Sequence, residues 1–206
     1  MLRVVTLSVI VGTFLIGVYY VVAATYMPPI PQDKLSEALS AYQDGFSYDN
    51  LVVLDEGDRY ALIQQMPSIT RQLILQEAKN RPSFIAESKD QLKKLSSSSD
   101  LKLVKLTTIA GLKGFSAQGT AAVFDSGTMA FLRLEDFGVT SGIDQHLYLT
   151  KDGSISTGIS LGKLKASQGS QNYDITGIDV ETYNVLIIYS KPFDMYYAHA
   201  QFFKAG

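Results

Sequence analysis

The spacing of apolar and polar residues changes twice along the chain and divides it into three regions. Residues 4–24 contain no charged side chain. In residues 28–100 apolar residues recur at the intervals of a helix, whereas residues 101–206 contain short runs of alternating or β-branched residues. The pattern predicts a membrane segment over residues 1–27, a mostly helical juxtamembrane region and linker over 28–100, and a mainly β domain over 101–206.

The first region has the length and the flanks of a membrane anchor. Residues 4–24 form an uncharged run of 21 residues, and a helix of that length spans the roughly 30 Å hydrocarbon core of a bilayer. Arg3 precedes the run, and no positive charge follows it until Lys34. The positive-inside rule therefore predicts a single-pass protein with a cytoplasmic N-terminus and an extracytoplasmic C-terminal domain. A signal peptide cleaved at Ala23 is the alternative, and it places the domain on the same side.

Three helices are predicted in the middle region. The first follows Asp33, which has the position of an N-cap residue, and ends at Gly45. The second opens at Pro67 and stops before Pro82, because proline suits a first helical turn and disfavours helix in the residue before it. The third spans residues 83–95.

Three shorter segments of the middle region are predicted to lie outside helices. Residues 51–54 (LVVL) form a short strand, and residues 55–58 (DEGD) form a turn. The polar tract at residues 96–99 consists of four serines without a packing face, which predicts a linker or loose loop.

The last region has the pattern of an antiparallel β-sandwich or barrel-like domain. Its β-rich runs are LKLVKLT, TAAVF, TMAFLRL, QHLYLT, VLIIYS and MYYAHAQFF, and glycine-containing turns separate them. Short strands at this spacing are typical of such folds. In the final run, strict alternation predicts that Tyr196, Ala198, Ala200 and Phe202 face the core.

Composition and the absence of motifs exclude several functional classes. The formal net charge of −2 predicts no nucleic-acid partner. The absence of cysteine excludes disulfides, iron–sulfur clusters, covalently attached c-type haem and thiol catalysis, and in an exported domain it favours a prokaryotic source. The motifs G-x-S-x-G, H-E-x-x-H, G-x-G-x-x-G and the P-loop are all absent, which favours a binding or structural protein over an enzyme. No catalytic residue is assigned.

Five stretches between residues 111 and 203 are similar to a known family. They are GLKGFSAQGTAAVF, LRLEDF, SGIDQHLYLT, ISLGKLKASQGSQNYDI and YNVLIIYSKPFDMYYAHAQF. This part of the chain resembles the DM-thirteen domain, also called the electron-transfer DM domain. The resemblance implies an extracytoplasmic, β-rich domain.

The resemblance breaks at the residue that would carry the family's chemistry. The suggested redox role of the family rests on a near-constant cysteine in the strand before the last, and Ser190 stands at that position here. A serine hydroxyl has no accessible thiolate and no sulfur oxidation chemistry. Relatives also tend to have proline where this chain has Ile143. Electron transfer would therefore need a bound cofactor or metal, whose identity the sequence leaves unknown.

Six residues are candidate binding residues: Asp144, His146, Lys165, Gln171, Tyr173 and Ser190. The first five fall in the most family-like loops and strand ends, and Ser190 marks the departure from the family. Asp144 and His146 are two positions apart, so on a strand they would share a face and form a pair able to bind a metal or move a proton. The alternative is that Asp144 caps a loop and His146 is an exposed strand residue. Two ligands do not make a zinc site, and no metal site is predicted.

These observations favour a membrane-anchored extracytoplasmic domain that acts as a surface module for binding a ligand or a protein. Its predicted partners are the membrane, through residues 4–24, and an extracytoplasmic protein or small molecule. The first alternative is a redox domain that works through a bound cofactor or metal. The second is a structural subunit of a membrane complex, docked through residues 33–98.

Overall fold

The computed structural model describes residues 33–97 and 100–203. The predicted membrane segment at residues 4–24 lies outside the described residues. Within them, no helix is both long enough and apolar enough to cross a bilayer.

The middle region folds largely as helices. Its elements are α1 (Lys34–Ser40), α2 (Tyr48–Val53), α3 (Glu56–Gln65), α4 (Ser68–Lys79), β1 (Phe84–Ala86) and α5 (Lys89–Ser96). Asp33 caps α1 by accepting a hydrogen bond from the Leu35 amide at 3.1 Å. Pro67 is the residue before α4, and that helix ends before Pro82. The first predicted helix starts where expected but ends at Ser40, five residues before Gly45, and the second is confirmed.

The predicted strand at residues 51–54 is wrong, and so is the turn at 55–58. Residues 51–53 lie in α2, which begins at a capping box between Ser47 and Asn50. Asp55 then accepts a hydrogen bond from the Gly57 amide at 2.9 Å and starts α3. The two valines of LVVL favour a strand only weakly, so the caps and the packing of Leu51 among the helices decide the conformation.

The third predicted helix begins too early, and the serine tract is not entirely linker. Residues 84–86 form β1, which pairs in parallel with a strand of the β domain, and α5 starts only at Lys89. Ser96 is the last residue of α5, where its hydroxyl donates to the Leu92 carbonyl at 2.9 Å. Ser97 caps α5 in the left-handed conformation. Residues 98–99 lie outside the described residues.

The C-terminal region is mainly β, as predicted. Its strands are β2 (Lys102–Thr108), β3 (Ala110–Gly111), β4 (Ala117–Asp125), β5 (Ala130–Val139), β6 (Gln145–Thr150), β7 (Ile159–Lys163), β8 (Gln168–Asp174), β9 (Val185–Ser190) and β10 (Met195–Gln201). Among the described residues they form two five-stranded sheets together with β1. The first sheet has the order β1-β8-β5-β4-β2, and the second has the order β3-β10-β9-β6-β7.

Apolar side chains from both sheets form one shared core. Leu132 and Leu134 of the first sheet pack in the same cluster as Leu147 and Leu186 of the second. On the outer face of the first sheet, Leu92 of α5 packs on the side chains of β4 and β5. The β domain is therefore covered on one outer face by a helix that precedes it in the chain.

One core residue differs from the prediction. Tyr196 does not face the core, whereas Tyr197 does and is fully buried. The pairing of β10 with β9 shifts between Tyr196 and Ala198, so one extra residue interrupts the alternation. The bulge brings Tyr197 to the face that also carries Ala198, Ala200 and Phe202.

The middle region packs directly on the β domain. Ile143, in the loop before β6, belongs to the apolar cluster of α1 to α4. Gln64 of α3 donates to the Pro192 carbonyl at 2.7 Å, and β1 adds to the first sheet beside β8. The domain boundary near residue 100 stays a prediction, but the two regions share both a sheet and an apolar cluster.

Three neighbouring strands of the first sheet are irregular at the same end. The pairing of β4 with β5 shifts between Gln118 and Thr120, and that of β5 with β8 shifts between Leu134 and Phe137. Backbone φ angles are positive at Gly119 (+99°), Asp136 (+48°) and Gly169 (+104°). Bulges bend strands and redirect side chains, so this end of the sheet departs from a regular pleated surface.

Gly169→Ala is expected to destabilise the protein by releasing β1. A Cβ at position 169 would collide with the backbone carbonyl of Ile85, which cannot move without breaking the β1–β8 pairing. The matched control is Gly162→Ala, where φ is +95° and no atom lies within 4 Å of the added methyl group. We expect Gly169→Ala to cost at least about 2 kcal/mol more than the control in urea unfolding followed by circular dichroism. Equal losses of unfolding free energy in the two variants would show that displacing β1 costs no stability.

Candidate functional site

Asp144 forms a buried ion pair with Arg59 of α3. The Arg59 Nε lies 2.6 Å from Asp144 Oδ2, and Nη2 lies 2.7 Å from Oδ1. Both residues are only 3% exposed. The Arg59 Nη1 donates to the carbonyls of Val52 and Leu54, each at 2.7 Å, at the end of α2. This one guanidinium therefore joins two helices to the loop before β6.

A second cation completes the environment of the Asp144 carboxylate. Lys163 of β7 places its Nζ 2.9 Å from Asp144 Oδ1. Burial raises the pKa of the Asp144 carboxyl, but hydrogen bonds from Arg59 and Lys163 outweigh burial and hold that pKa below its usual value. Asp144 is therefore ionised at neutral pH, and its oxygens are occupied by cations of the protein itself.

His146 is not paired with the Asp144 carboxylate. Asp144 lies in the loop just before β6 with a φ of +47°, so the two side chains do not share a strand face. The His146 Nδ1 lies 3.2 Å from the Asp144 backbone carbonyl, and Nε2 lies 3.5 Å from Glu56 Oε1. In the described parts of the chain, no group of three or more histidine, cysteine, aspartate or glutamate residues comes together as a metal site.

Ser190 lies at the end of β9 in the same neighbourhood. It is fully buried, and its hydroxyl donates to the Ile143 carbonyl at 2.6 Å. That hydrogen bond fixes the loop that carries Asp144. Ser190 therefore has a structural contact.

The other three candidates come together in a second cluster, where they hold the connection between β7 and β8. The Gln171 Oε1 accepts hydrogen bonds from the Tyr173 hydroxyl at 2.7 Å and from the Lys165 amide at 3.2 Å. The Gln171 Nε2 donates to the Ala166 carbonyl at 2.6 Å. Burial raises the pKa of Tyr173, which stays a neutral hydrogen-bonding phenol. The side chains of Gln171 and Tyr173 are buried, and their polar atoms are satisfied inside the protein.

Lys165 extends this cluster to the middle region. Its Nζ lies 2.8 Å from Glu87 Oε1 and donates to the Asn172 carbonyl at 2.6 Å. Glu87 follows β1, and its Oε2 also accepts from the Asn172 amide at 2.6 Å. Like Asp144, Lys165 joins the middle region to the β domain.

A groove of about 780 Å³ lies at the irregular end of the first sheet. Volumes of this order are typical of small-molecule sites. Lys79, Pro82, Phe84 and Ala86 of the middle region form one side of it. The other lining residues come from the ends of β4, β5 and β8 and the loop after β5, and they include Gln118, Asp136, Gly138, Gln168, Gly169 and Ser170.

Four polar side chains of this groove are available to a ligand, whereas Ser116, Thr140 and Ser141 of its lining are hydrogen-bonded within the protein. Within the described residues, no hydrogen bond or ion pair engages the side chains of Gln118, Asp136, Gln168 or Ser170. Beside them Phe84 is 72% exposed. Unpaired amide, hydroxyl and carboxylate groups therefore lie next to an exposed aromatic ring. This arrangement is suited to binding a ligand.

The geometry of the groove depends on glycine. The ring of Phe84 approaches Gly169 so closely that a Cβ there would lie 3.0 Å from its Cε2. The aliphatic part of Gln118 lies over Gly138, where a Cβ would be 3.3 Å from Cγ. A side chain at either glycine would displace a lining residue of the groove.

Sequence reasoning missed Arg59, Glu87 and the groove. Arg59 and Glu87 lie in the region without a recognisable pattern, and their partners are far away in the chain. One signal for the groove was present: Gly119, Gly138 and Gly169 interrupt strand patterns, and glycine inside a strand indicates a bulge or a close backbone approach.

Comparison with known proteins identifies the C-terminal part of the chain. Residues 111–202 match the family model described as Electron transfer DM13. This confirms the resemblance, over less than half of the chain, and leaves α1 to α5, β1 and β2 outside the match. No curated protein and no solved structure shows significant similarity. The groove has one side outside the matched residues, at Phe84, and one side inside them, at Gln118 and Gln168.

Asp144→Asn is expected to cost about 3–5 kcal/mol of unfolding free energy, because it leaves the buried Arg59 without its counter-charge. Urea unfolding at pH 7, followed by circular dichroism, measures the loss. The matched control is Asp49→Asn, which removes a largely exposed partner of Arg81 and should change stability far less.

The same variant provides a pH test. Because the folded-state pKa of Asp144 is lowered, its contribution is present above its unfolded pKa of about 3.9 and is lost as the pH falls through the folded pKa. The difference between wild type and Asp144→Asn should therefore shrink below about pH 4. A difference independent of pH would show that the carboxylate charge is not what stabilises the contact.

Ser190→Cys is expected to fold, because the two side chains are close in volume, but to lose about 1–2 kcal/mol. A thiol donates weakly, so the Ile143 carbonyl would lose a strong buried hydrogen bond. Urea unfolding under reducing conditions measures the loss. Ser68→Cys, at an exposed serine without a side-chain hydrogen bond in the described residues, is the control and should be neutral. Identical stabilities would show that the thiol replaces the hydroxyl fully.

Proposed function

We propose that this protein is a membrane-anchored, extracytoplasmic module that binds a ligand or a partner protein in the groove at the end of the first sheet. The observation that carries the proposal is the set of unpaired polar side chains at Gln118, Asp136, Gln168 and Ser170 beside the exposed ring of Phe84. The buried polar clusters at Asp144 and Gln171, by contrast, are satisfied by partners within the chain. The groove therefore offers unpaired hydrogen-bonding groups to a ligand.

The backbone around the groove supports the same proposal. The left-handed conformation of Asp136 is sparsely populated for a residue with a side chain, and such conformations cluster at functional sites. The bulges beside it turn side chains away from the regular pleat, which is a common feature next to binding and active sites. Gly138 and Gly169 leave room in the groove because they have no side chain.

The proposed location follows from the N-terminal segment. An uncharged run of 21 residues that Arg3 precedes favours an anchor with its C-terminal side outside the cytoplasm. A binding groove on the described part of the chain would then face the cell exterior.

A photoreactive residue in the groove should capture the ligand in living cells. The change is Gln118→p-benzoylphenylalanine in the full-length chain, followed by irradiation and mass analysis of the purified protein. We expect an adduct that depends on light and is lost when Phe84→Ala is added, because the exposed ring forms part of the contact.

The control carries the same photoreactive residue at Phe203, an exposed phenylalanine beyond β10. An adduct at position 118 and none at 203 supports the proposal. Equal labelling at both positions, or none at 118, would contradict it.

The second candidate function is electron transfer through a bound cofactor or metal. It rests on the description of the family that residues 111–202 match. Because the chain has no cysteine and Ser190 is engaged with Ile143, a thiol-based reaction is not open to it. A visible absorption band or a stoichiometric metal in full-length protein purified from membranes would favour this candidate. A colourless, metal-free, folded protein would count against it.

A further inference from the structure

We propose that the ligand of the groove is a neutral oligosaccharide. This inference rests on the proposed binding function of the same groove and names the chemical class of its occupant. Three properties of the groove point to that class: its charge, the chemistry of its polar groups, and the position of its aromatic ring.

The charge of the groove suits an uncharged ligand. Its lining contains one cation, Lys79, and one anion, Asp136, so the two formal charges cancel. The Lys79 Nζ also lies over the ring of Phe115, at 5.4 Å from its centroid. Recognition of phosphate or of acidic peptides uses clustered arginine or lysine, and the groove lining has no such cluster.

The polar groups of the groove match hydroxyl groups in particular. A sugar hydroxyl both donates and accepts a hydrogen bond, and the side-chain amides of Gln118 and Gln168, which lie on either side of Gly138 of β5, offer both functions. The Ser170 hydroxyl can also do both, and the Asp136 carboxylate accepts. Every one of these side chains lacks a partner within the described residues.

The exposed ring of Phe84 can contact the C–H groups of a sugar. A pyranose ring has polar hydroxyl groups around its rim and C–H groups on its faces, and aromatic faces carry the negative potential that attracts such C–H groups. Phe84 is 72% exposed and its Cε2 lies close to Gly169, so most of the ring surface is open to solvent beside the groove. Burying this ring under a sugar would remove an apolar surface from water.

An extended peptide fits this site less well. A peptide that adds to a sheet edge binds through a row of backbone groups, and the free edge here belongs to β1, which is only three residues long. The groove groups that remain unpaired are side-chain amides, a hydroxyl and a carboxylate on the sheet face. They address a ligand lying across β5 and β8 and not one paired along β1.

The test is calorimetric titration of the full-length chain with neutral hexasaccharides. The protein is held in a polyoxyethylene detergent, which contains no sugar. The probes are the β-1,4-linked hexamers of glucose, N-acetylglucosamine, mannose and xylose. We expect at least one to bind, and we expect Phe84→Ala and Gln168→Ala each to weaken that binding by at least about tenfold.

Phe203→Ala provides the matched control, because Phe203 is 70% exposed and lies outside the groove lining. It should leave the affinity unchanged. Because both lining residues are exposed, circular dichroism of each variant should match wild type, which separates loss of binding from loss of fold. Binding that survives Phe84→Ala, or that Phe203→Ala weakens equally, would overturn the inference.

The saccharide inference can fail while the binding function stands. If none of the four hexamers binds and the photoadduct at position 118 is destroyed by protease, the occupant is a protein and the saccharide inference falls alone. If none binds and no adduct forms at 118, the binding function falls with it. A protease-resistant adduct that glycosidases remove would support both.

Discussion

The buried ion pair between Arg59 and Asp144 is the contact on which the joint between the two parts of this protein depends. The two residues are 85 positions apart, and both are shielded from water. Removing either one leaves the other as an uncompensated buried charge, which costs far more than the loss of an exposed pair. Because Arg59 also binds the carbonyls at the end of α2, a single side chain holds two helices against the loop before β6.

That joint has a direct bearing on the groove, whose two sides come from different parts of the chain. Lys79 ends α4, and Phe84 begins β1 a few residues later, whereas Gln118 and Gln168 belong to the β domain. The parallel pairing of β1 with β8 and the ion pair between Lys165 and Glu87 hold the side formed by Lys79 and Phe84 in place. Neither part alone forms this groove, so the helical region contributes to it directly.

Ser190 has a structural role in the loop before β6. Ser190 is buried at the end of β9 and donates its hydroxyl to the Ile143 carbonyl, one residue before Asp144. A buried carbonyl without a donor is costly, and serine satisfies it with a stronger hydrogen bond than a thiol would. Ser190 thus stabilises the same loop that carries the ion pair.

Local patterns along the sequence were sufficient for the β-rich character of residues 101–206, the cap at Asp33 and the helix after Pro67, because alternation and capping act over a few residues. They were insufficient where distant contacts compete with local preference. Residues 51–53 become helical, and a bulge turns the side chain of Tyr197 toward the core in place of Tyr196. Sequence also selected Asp144, Gln171 and Tyr173 as polar residues of interest. Only the tertiary structure decided that their hydrogen bonds are satisfied internally and that Gln118, Gln168 and Phe84 remain open. The reason is physical: whether a polar group is free to bind depends on the partners that folding brings to it, and for Asp144 that partner, Arg59, lies 85 positions away in the chain.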